Sequence, residues 1–309
     1  MTVHVAGGEL GPGAAFRPVG SVPVVIIGVV DRPVLDAQRD SAESVFDVVV
    51  ADDDPVLAAI TANIERYPLA ATSLAVLLRN GVDLSIEQAL AAESAVYSLL
   101  QAGPEFAAWG SRTRLDPPPP DGDPAVLMER HGVELGIELN RPGRHNAFSR
   151  SMRDGLVEAL AYASVDESIE RIRLSGRGPS FCSGGDLGEF GSRPDPATAH
   201  RTRLTRSPAR MLAMLAERLG SDLVVELHGA CLGAGIELAA FAGRVTAASD
   251  ARIGLPEVSL GLIPGAGGTV SLPRRIGRQR TAYLGLSGQP ISASKALQWG
   301  LIDEIVDPV

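Results

Sequence analysis

Two glycine-rich corners, each accompanied by a glutamate, constrain this chain more than any other feature. Both fall between Leu223 and Gly268. In LVVELHGACLGAGIEL, Val224 to Leu227 is a short apolar run of strand type. Gly229, Gly233 and Gly235 then let the backbone turn tightly before Ile236 to Phe241 begins a helix that carries Glu237. After a further strand, LPEVSLGLIPGAGGT carries Glu257 ahead of Gly265, Gly267 and Gly268. A helix opening at such a corner leaves several N–H groups without intrahelical acceptors, and its macrodipole draws negative charge to that end. An anion, or an oxygen about to become one, is the fitting guest. Nucleotide fingerprints fit poorly: Gly233-Ala234-Gly235 lacks the third glycine of GxGxxG, and Gly265 to Thr269 lacks the lysine of a P-loop.

A second bend of the same character lies upstream. Arg171 to Leu174 reads as a strand, RGPS as a turn, and Phe181-Cys182-Ser183-Gly184-Gly185-Asp186-Leu187 as a glycine-relaxed bend opening a helix. Two bends that each aim one backbone N–H at a common point make an oxyanion hole. Losing one donor of such a hole raises a barrier by roughly 2.7–4 kcal/mol.

Taken in order, RPGRHNAFS, FCSGGDL, HGACLGAGIELA, LPEVSLGLIPGAGGT and SASKALQWGLIDEIV resemble the crotonase (enoyl-CoA hydratase/isomerase) superfamily, over roughly Val126 to Val306. The resemblance implies an α/β fold, a spiral of repeated ββα units, and an enzyme acting on an acyl-CoA thioester. It puts the oxyanion-hole donors on the N–H groups of Gly185 and Ala234, the latter a glycine in most relatives. The two carboxylates of the hydratase subgroup fall on Glu237 and Glu257, with Arg144, Ser183 and Asp186 bordering substrate or coenzyme. Asp186 is also read as a brace for its helix. The implied activity is enoyl-CoA hydration in fatty-acid-type metabolism. Other acyl-CoA enzymes of the superfamily (isomerase, specialised dehydratase, oxygenase) are the alternative, and a non-catalytic CoA-binding protein is a further one. The implied assembly is a homo-oligomer, a trimer or dimer of trimers. Coenzyme A enters as part of the substrate, with no separate cofactor.

Composition narrows the field further. The chain has 309 residues, is 45% hydrophobic and has a net charge of -9, enough apolar matter for a large core and the wrong sign for a nucleic-acid binder. Cys182 and Cys231 lie in the proposed core segments and read as reduced thiols of a cytoplasmic protein; neither has the base-rich surroundings of a nucleophile. Five scattered histidines without paired spacing give no metal site, and His145 and His228 have no catalytic partner nearby in sequence. Val22 to Val30, flanked by Arg17 and Asp31, is too short to span a membrane and reads as a buried strand.

The chain divides into a mixed, largely helical N-terminal extension at 1–115, a proline-rich linker at 116–124 (DPPPPDGDP) and a catalytic core at 125–309. Residues 1–20 are expected to begin poorly ordered. In the extension, strands at Val22 to Val30 and Phe46 to Ala51 precede helices at Pro55 to Arg66, Leu69 to Arg79 and Ser85 to Gln101, with Ser85 and Gln88 in capping-box spacing. Nothing there has catalytic spacing, so its expected role is packing and assembly. In the core, a hairpin turns at His131-Gly132, and helices are expected at Ser149 to Ala163 and Ala199 to Leu219. The alternating strands imply parallel pairing with right-handed crossovers. Arg274, Arg275, Arg278 and Arg280 read as a solvated helix face, Trp109 and Trp299 as packing residues. Relatives continue past the segment matching LIDEIV with helices that help close the acyl pocket and build the trimer. This chain stops at Val309, so the helices between Pro55 and Trp109 are expected to fill part of that role.

Overall fold

A computed structural model describes residues 23–30, 46–113, 122–190 and 195–307. The expectations for residues 1–20 and for most of the proline linker fall outside them. The N-terminal region holds two short parallel strands, β1 (Ile27–Val30) and β2 (Val48–Ala51), then α1 (Val56–Arg66), α2 (Pro68–Asn80), α3 (Ile86–Gln101) and α4 (Pro104–Gly110). Strand pairing begins only at Ile27, because the Asp47 carboxylate takes the Ile26 N–H at 2.7 Å. That carboxylate is buried and also pairs with Arg79. Removing one member of such a pair costs about 3–5 kcal/mol, since the other charge is left buried alone. The Ser85–Gln88 capping box forms on α3. The first turn of α2 is capped from a distance: both oxygens of Glu105 accept from Leu69 and Ala70 N–H, at 2.7 and 3.0 Å.

The second region begins with the hairpin β3 (Val126–His131) and β4 (Glu134–Leu139), then α5 (Arg150–Val165), capped by Ser149, and β5 (Arg171–Gly176). Next come α6 (Pro196–Thr205), α7 (Pro208–Leu219), β6 (Leu223–Leu227), β7 (Ala230–Leu232) and α8 (Ala234–Ala239). The chain continues through β8 (Arg244–Ala248), β9 (Arg252–Gly254), α9 (Gly268–Ile276), α10 (Arg278–Ser287), β10 (Ile291–Ser292), α11 (Ala293–Trp299) and β11 (Glu304–Val306). Six strands form one sheet in the order β11-β8-β6-β5-β4-β3, parallel except for the β3–β4 hairpin, and β10-β9-β7 form a second. Leu135, Ile137, Ile172, Leu174 and Val225 alternate onto the buried face of the large sheet, and α5 and α7 cover it with Leu156, Leu160 and Leu212. Each such side chain contributes about 1.5–3 kcal/mol by leaving water.

Four sequence expectations are corrected. The helix expected over Ala199 to Leu219 is two helices, because Ser207 caps the second one and Pro208 has no N–H to continue the first. The bend after Gly185 opens only a single 3₁₀ turn, Leu187–Glu189, whose first free N–H, that of Gly188, is taken by Asp186. Between Gly229 and Gly233 the turn contains the short strand β7. The arginine run is no plain solvated face: Arg275 pairs with Asp303, Arg278 donates to the Phe46 carbonyl and Arg280 to that of Trp299.

The N-terminal helices pack on the second region. Val25, Val50, Ile60, Leu74, Leu100 and Phe106 share one apolar cluster with Val258, Leu262, Ile263, Ala282 and Leu286. Asn63 donates to the carbonyls of Leu286 and Ser287 at the end of α10, at 2.9 and 3.0 Å. Trp109 stacks on Phe106 with ring centres 5.6 Å apart, and Trp299 meets Tyr283 edge-on at 5.2 Å, so both tryptophans are packing residues. Among the described residues, no helix is long and apolar enough to cross a membrane.

Candidate active site

The two glycine corners meet. The segment after β5 returns beside β7, with Cys182 N–H donating to the Ala230 carbonyl at 3.0 Å and Leu232 N–H to that of Cys182 at 2.9 Å. Gly184 then lies so close to Gly233 that a β-carbon on it would stand 3.9 Å from the Gly233 Cα. Phe148 N–H takes the Gly184 carbonyl at 2.7 Å, while Asp186 N–H donates to Phe148 at 3.1 Å. The intervening N–H of Gly185 donates to no acceptor among the described residues, and neither does that of Ala234, in the first turn of α8. Gly185 and Ala234 border the same cavity, of about 250 Å³. Free amides bordering one cavity are available to a developing oxyanion.

Both predicted carboxylates border that cavity. Glu237 is 2% exposed, and its Oε2 accepts from Ala266 N–H at 2.7 Å and Gly268 N–H at 2.8 Å. Glu257 opens the 3₁₀ turn Glu257–Leu260, and its Oε2 is buried with no hydrogen-bond partner among the described residues. Burial pushes the Glu257 carboxyl up to about 8, helped by the charge of Glu93. Burial, then the neighbouring Glu257 and Glu93, holds Glu237 well above the usual carboxylate range. Two acids buried side by side resist ionising together, so between their two titration steps one holds a proton while the other can accept one.

Two further residues line the cavity that the sequence did not single out, Glu93 and Tyr97, both on α3. Glu93 is 2% exposed and accepts from Gly267 N–H, Thr269 N–H and the Thr269 hydroxyl. Burial lifts its carboxyl to about 7 against the lowering effect of those bonds and of Arg203. Burial also raises the Tyr97 phenol, whose ring lies under the Arg203 guanidinium at 4.6 Å. The signal was present: Ala89, Glu93, Val96 and Leu100 keep helical spacing, and an acid stands where that stripe should be apolar.

The remaining candidates sit apart from the reaction space or are braced. Asp186 borders the cavity but is buried in ion pairs with Arg141 and Arg144, at 3.0 and 3.3 Å, consistent with a bracing role. Arg144 and Ser183 do not border the cavity; the Arg144 side chain is 41% exposed. Both cysteines are free and buried, and burial pushes the Cys182 thiol up to about 12, which leaves no thiolate for nucleophilic attack. His145 is bound to the Ser180 hydroxyl and His228 to the Gly178 carbonyl, both at 2.9 Å.

Comparison with known proteins gives the family. The chain is 36% identical over 180 residues to the 2,3-dehydroadipyl-CoA hydratase of Escherichia coli, covering 58% of this chain and 68% of that protein. It is 37% identical over 181 residues to the 1,2-epoxyphenylacetyl-CoA isomerase of the same organism, covering 57% and 68%. Its fold resembles that of an enoyl-CoA hydratase from Thermoplasma volcanium, with a TM-score of 0.52 at 35% identity over 60% of this chain and 73% of that one. The chain thus spans about two thirds of the length of these relatives. Since the Enoyl-CoA hydratase/isomerase family model also matches residues 130–308, which hold both corners and both predicted glutamates, the chain belongs to the enoyl-CoA hydratase/isomerase family of the crotonase superfamily.

Proposed function

We propose that the chain is an enoyl-CoA hydratase, adding water reversibly across the C2–C3 double bond of a 2-enoyl-CoA thioester. The observation that carries this reading is the sharing of one cavity by two unengaged amides and two raised carboxyls, Glu237 and Glu257. The thioester carbonyl accepts from the N–H groups of Gly185 and Ala234. Glu237 takes a proton from water as its oxygen bonds to C3, and the π electrons move into the carbonyl as an enolate. The enolate collapses as C2 takes the proton of Glu257, so the two acids exchange protonation states over one addition. Coenzyme A is part of the substrate, and we assign the exposed Arg144 guanidinium to its phosphates.

One observation favours the hydratase over the isomerase reading: both carboxylates are present, whereas moving a double bond needs only one acid–base group. The test is the loss of enoyl absorbance with crotonyl-CoA and with longer and aromatic enoyl-CoAs. Glu237→Gln and Glu257→Gln should each lose about 10²–10⁴-fold in turnover while retaining CoA binding. Undiminished hydration in either variant would overturn the role given to that residue.

A further inference from the structure

Four successive backbone amides at the start of α9 are divided between two buried acids far apart in sequence, Glu237 and Glu93. Ala266 and Gly268 donate to Glu237 Oε2; Gly267 donates to Glu93 Oε1 at 2.7 Å and Thr269 to Glu93 Oε2 at 2.9 Å. The Thr269 hydroxyl adds a third bond to Glu93, at 2.6 Å. The amides are covalently one ribbon, so fixing 267 and 269 from one side fixes 266 and 268 on the other. Glu93 receives only donors, the pattern a carboxylate satisfies and an amide cannot. Its helix is held in turn by Arg203 of α6, which bonds to Ser94 and Ser98.

We propose that Glu93 is a positioning residue for the reaction: it fixes the amide ribbon from which Glu237 hangs and supplies the negative charge behind it. The proposal rests on the hydratase reading of Glu237 and extends it to a residue outside the stretch matched by the family model. The charged and titratable groups around the pair are few. Glu237 faces Glu257, Tyr97 and Cys182 as well as Glu93. Glu93 faces Arg203, and His200 is bound to the adjacent Ser94 at 2.9 Å. The negative charge of Glu93 favours a proton on Glu237 and on Glu257, and Arg203 opposes it only through Glu93 and Tyr97. Neutralising Glu93 therefore makes both reacting acids stronger.

The test reads Glu237 directly. Infrared titration with isotope-labelled glutamate assigns the Glu237 carboxyl as the band lost in Glu237→Gln. In Glu93→Gln its midpoint should move to lower pH, on the order of one unit. Glu93→Asp, which keeps the charge, should leave it near the native position. Thr269→Val, which removes one bond and disturbs folding least, should move it the same way by less, because Glu93 then holds its proton more readily. With crotonyl-CoA as probe, Glu93→Gln should lower kcat about 10²-fold with little change in KM, as expected for a misplaced base. The acid limb of its pH profile should move in the same direction as the band. An unmoved Glu237 band in both Glu93→Gln and Thr269→Val, or full kcat in folded Glu93→Gln, would overturn the proposal. The infrared arm needs no substrate. A native chain that hydrates no enoyl thioester yet shows the band shift would sink the hydratase reading alone.

Discussion

Glu257 lies directly against Gly233: a β-carbon on Gly233 would stand 2.2 Å from Glu257 Oε1. Gly233 also has φ +48 and ψ -123, a combination that side chains of L-residues exclude. One residue thus makes the turn that presents the Ala234 amide and leaves bare the surface on which the second carboxylate rests. The corner that carries the Ala234 amide and the seat of the acid are built from the same contact.

Gly233→Ala should therefore damage catalysis beyond its effect on stability. The backbone conformation costs a side-chain-bearing residue about 1–3 kcal/mol, and relief of the clash displaces the carboxylate. Turnover of crotonyl-CoA is expected to fall about 10²-fold in protein that is still folded at the assay temperature. Comparing kcat with the thermal midpoint separates the two effects. Native turnover in this variant would mean that the reaction does not use Glu257 where it lies.

What could be read from the chain, and what could not, follows from the range of the interactions. The Ser85–Gln88 box, the helix that starts beside Ser149 and the hairpin at His131-Gly132 are local, and each stands where its residues indicated. The strand β7 was hidden because three residues between glycines are too few to show alternation. The break at Pro208 was legible, since proline has no N–H to continue a helix, but the apolar pattern after it drew one helix across the break. Arg278 and Glu93 were beyond local reading: one reaches the Phe46 carbonyl 232 positions away, the other the Gly267 amide 174 positions away. Glu237 and Glu257 lie within one motif-bearing stretch, whereas Glu93 comes from a helix expected to help close the pocket but not to supply a side chain to it.

The three raised acids make stability depend on pH in a stated direction. Folding lifts the carboxyls of Glu93 and Glu257 from 4.5 to about 7 and about 8, and raises that of Glu237 as well. Over that window the folded chain keeps protons that the unfolded chain has released, so the favourable contribution is complete below the unfolded value and is lost as pH rises through the folded ones. Glu257→Gln carries no such proton. Between about pH 5 and pH 8 its thermal midpoint should decline less than that of the native chain, and it should be the more stable of the two at the upper end. Thermal unfolding of both proteins at matched pH values checks this; Glu237, whose carboxyl the Glu257 charge helps to raise, changes in the same direction in the variant and adds to the difference. Parallel curves would show that Glu257 is not held above its ordinary range.

The contact between Tyr97 and Gly265 tests whether the N-terminal helices close the cavity in solution. A β-carbon on Gly265 would stand 2.3 Å from Tyr97 Cδ2 and 2.5 Å from Cε2. The ring cannot simply swing aside, because Arg203 covers its face and α3 is tied to the ribbon before α9 through Glu93. Gly265→Ala should therefore destabilise the chain by about 1–3 kcal/mol through overpacking. Tyr97→Leu removes the obstructing ring, so the added methyl group should be tolerated better in the double variant than in the native background. Denaturant unfolding of the four proteins gives the coupling, expected at about 0.5–3 kcal/mol in the rescuing direction. Additive effects would mean that α3 does not lie over Gly265, and the wall of the cavity that Tyr97 and Glu93 supply would have to come from elsewhere.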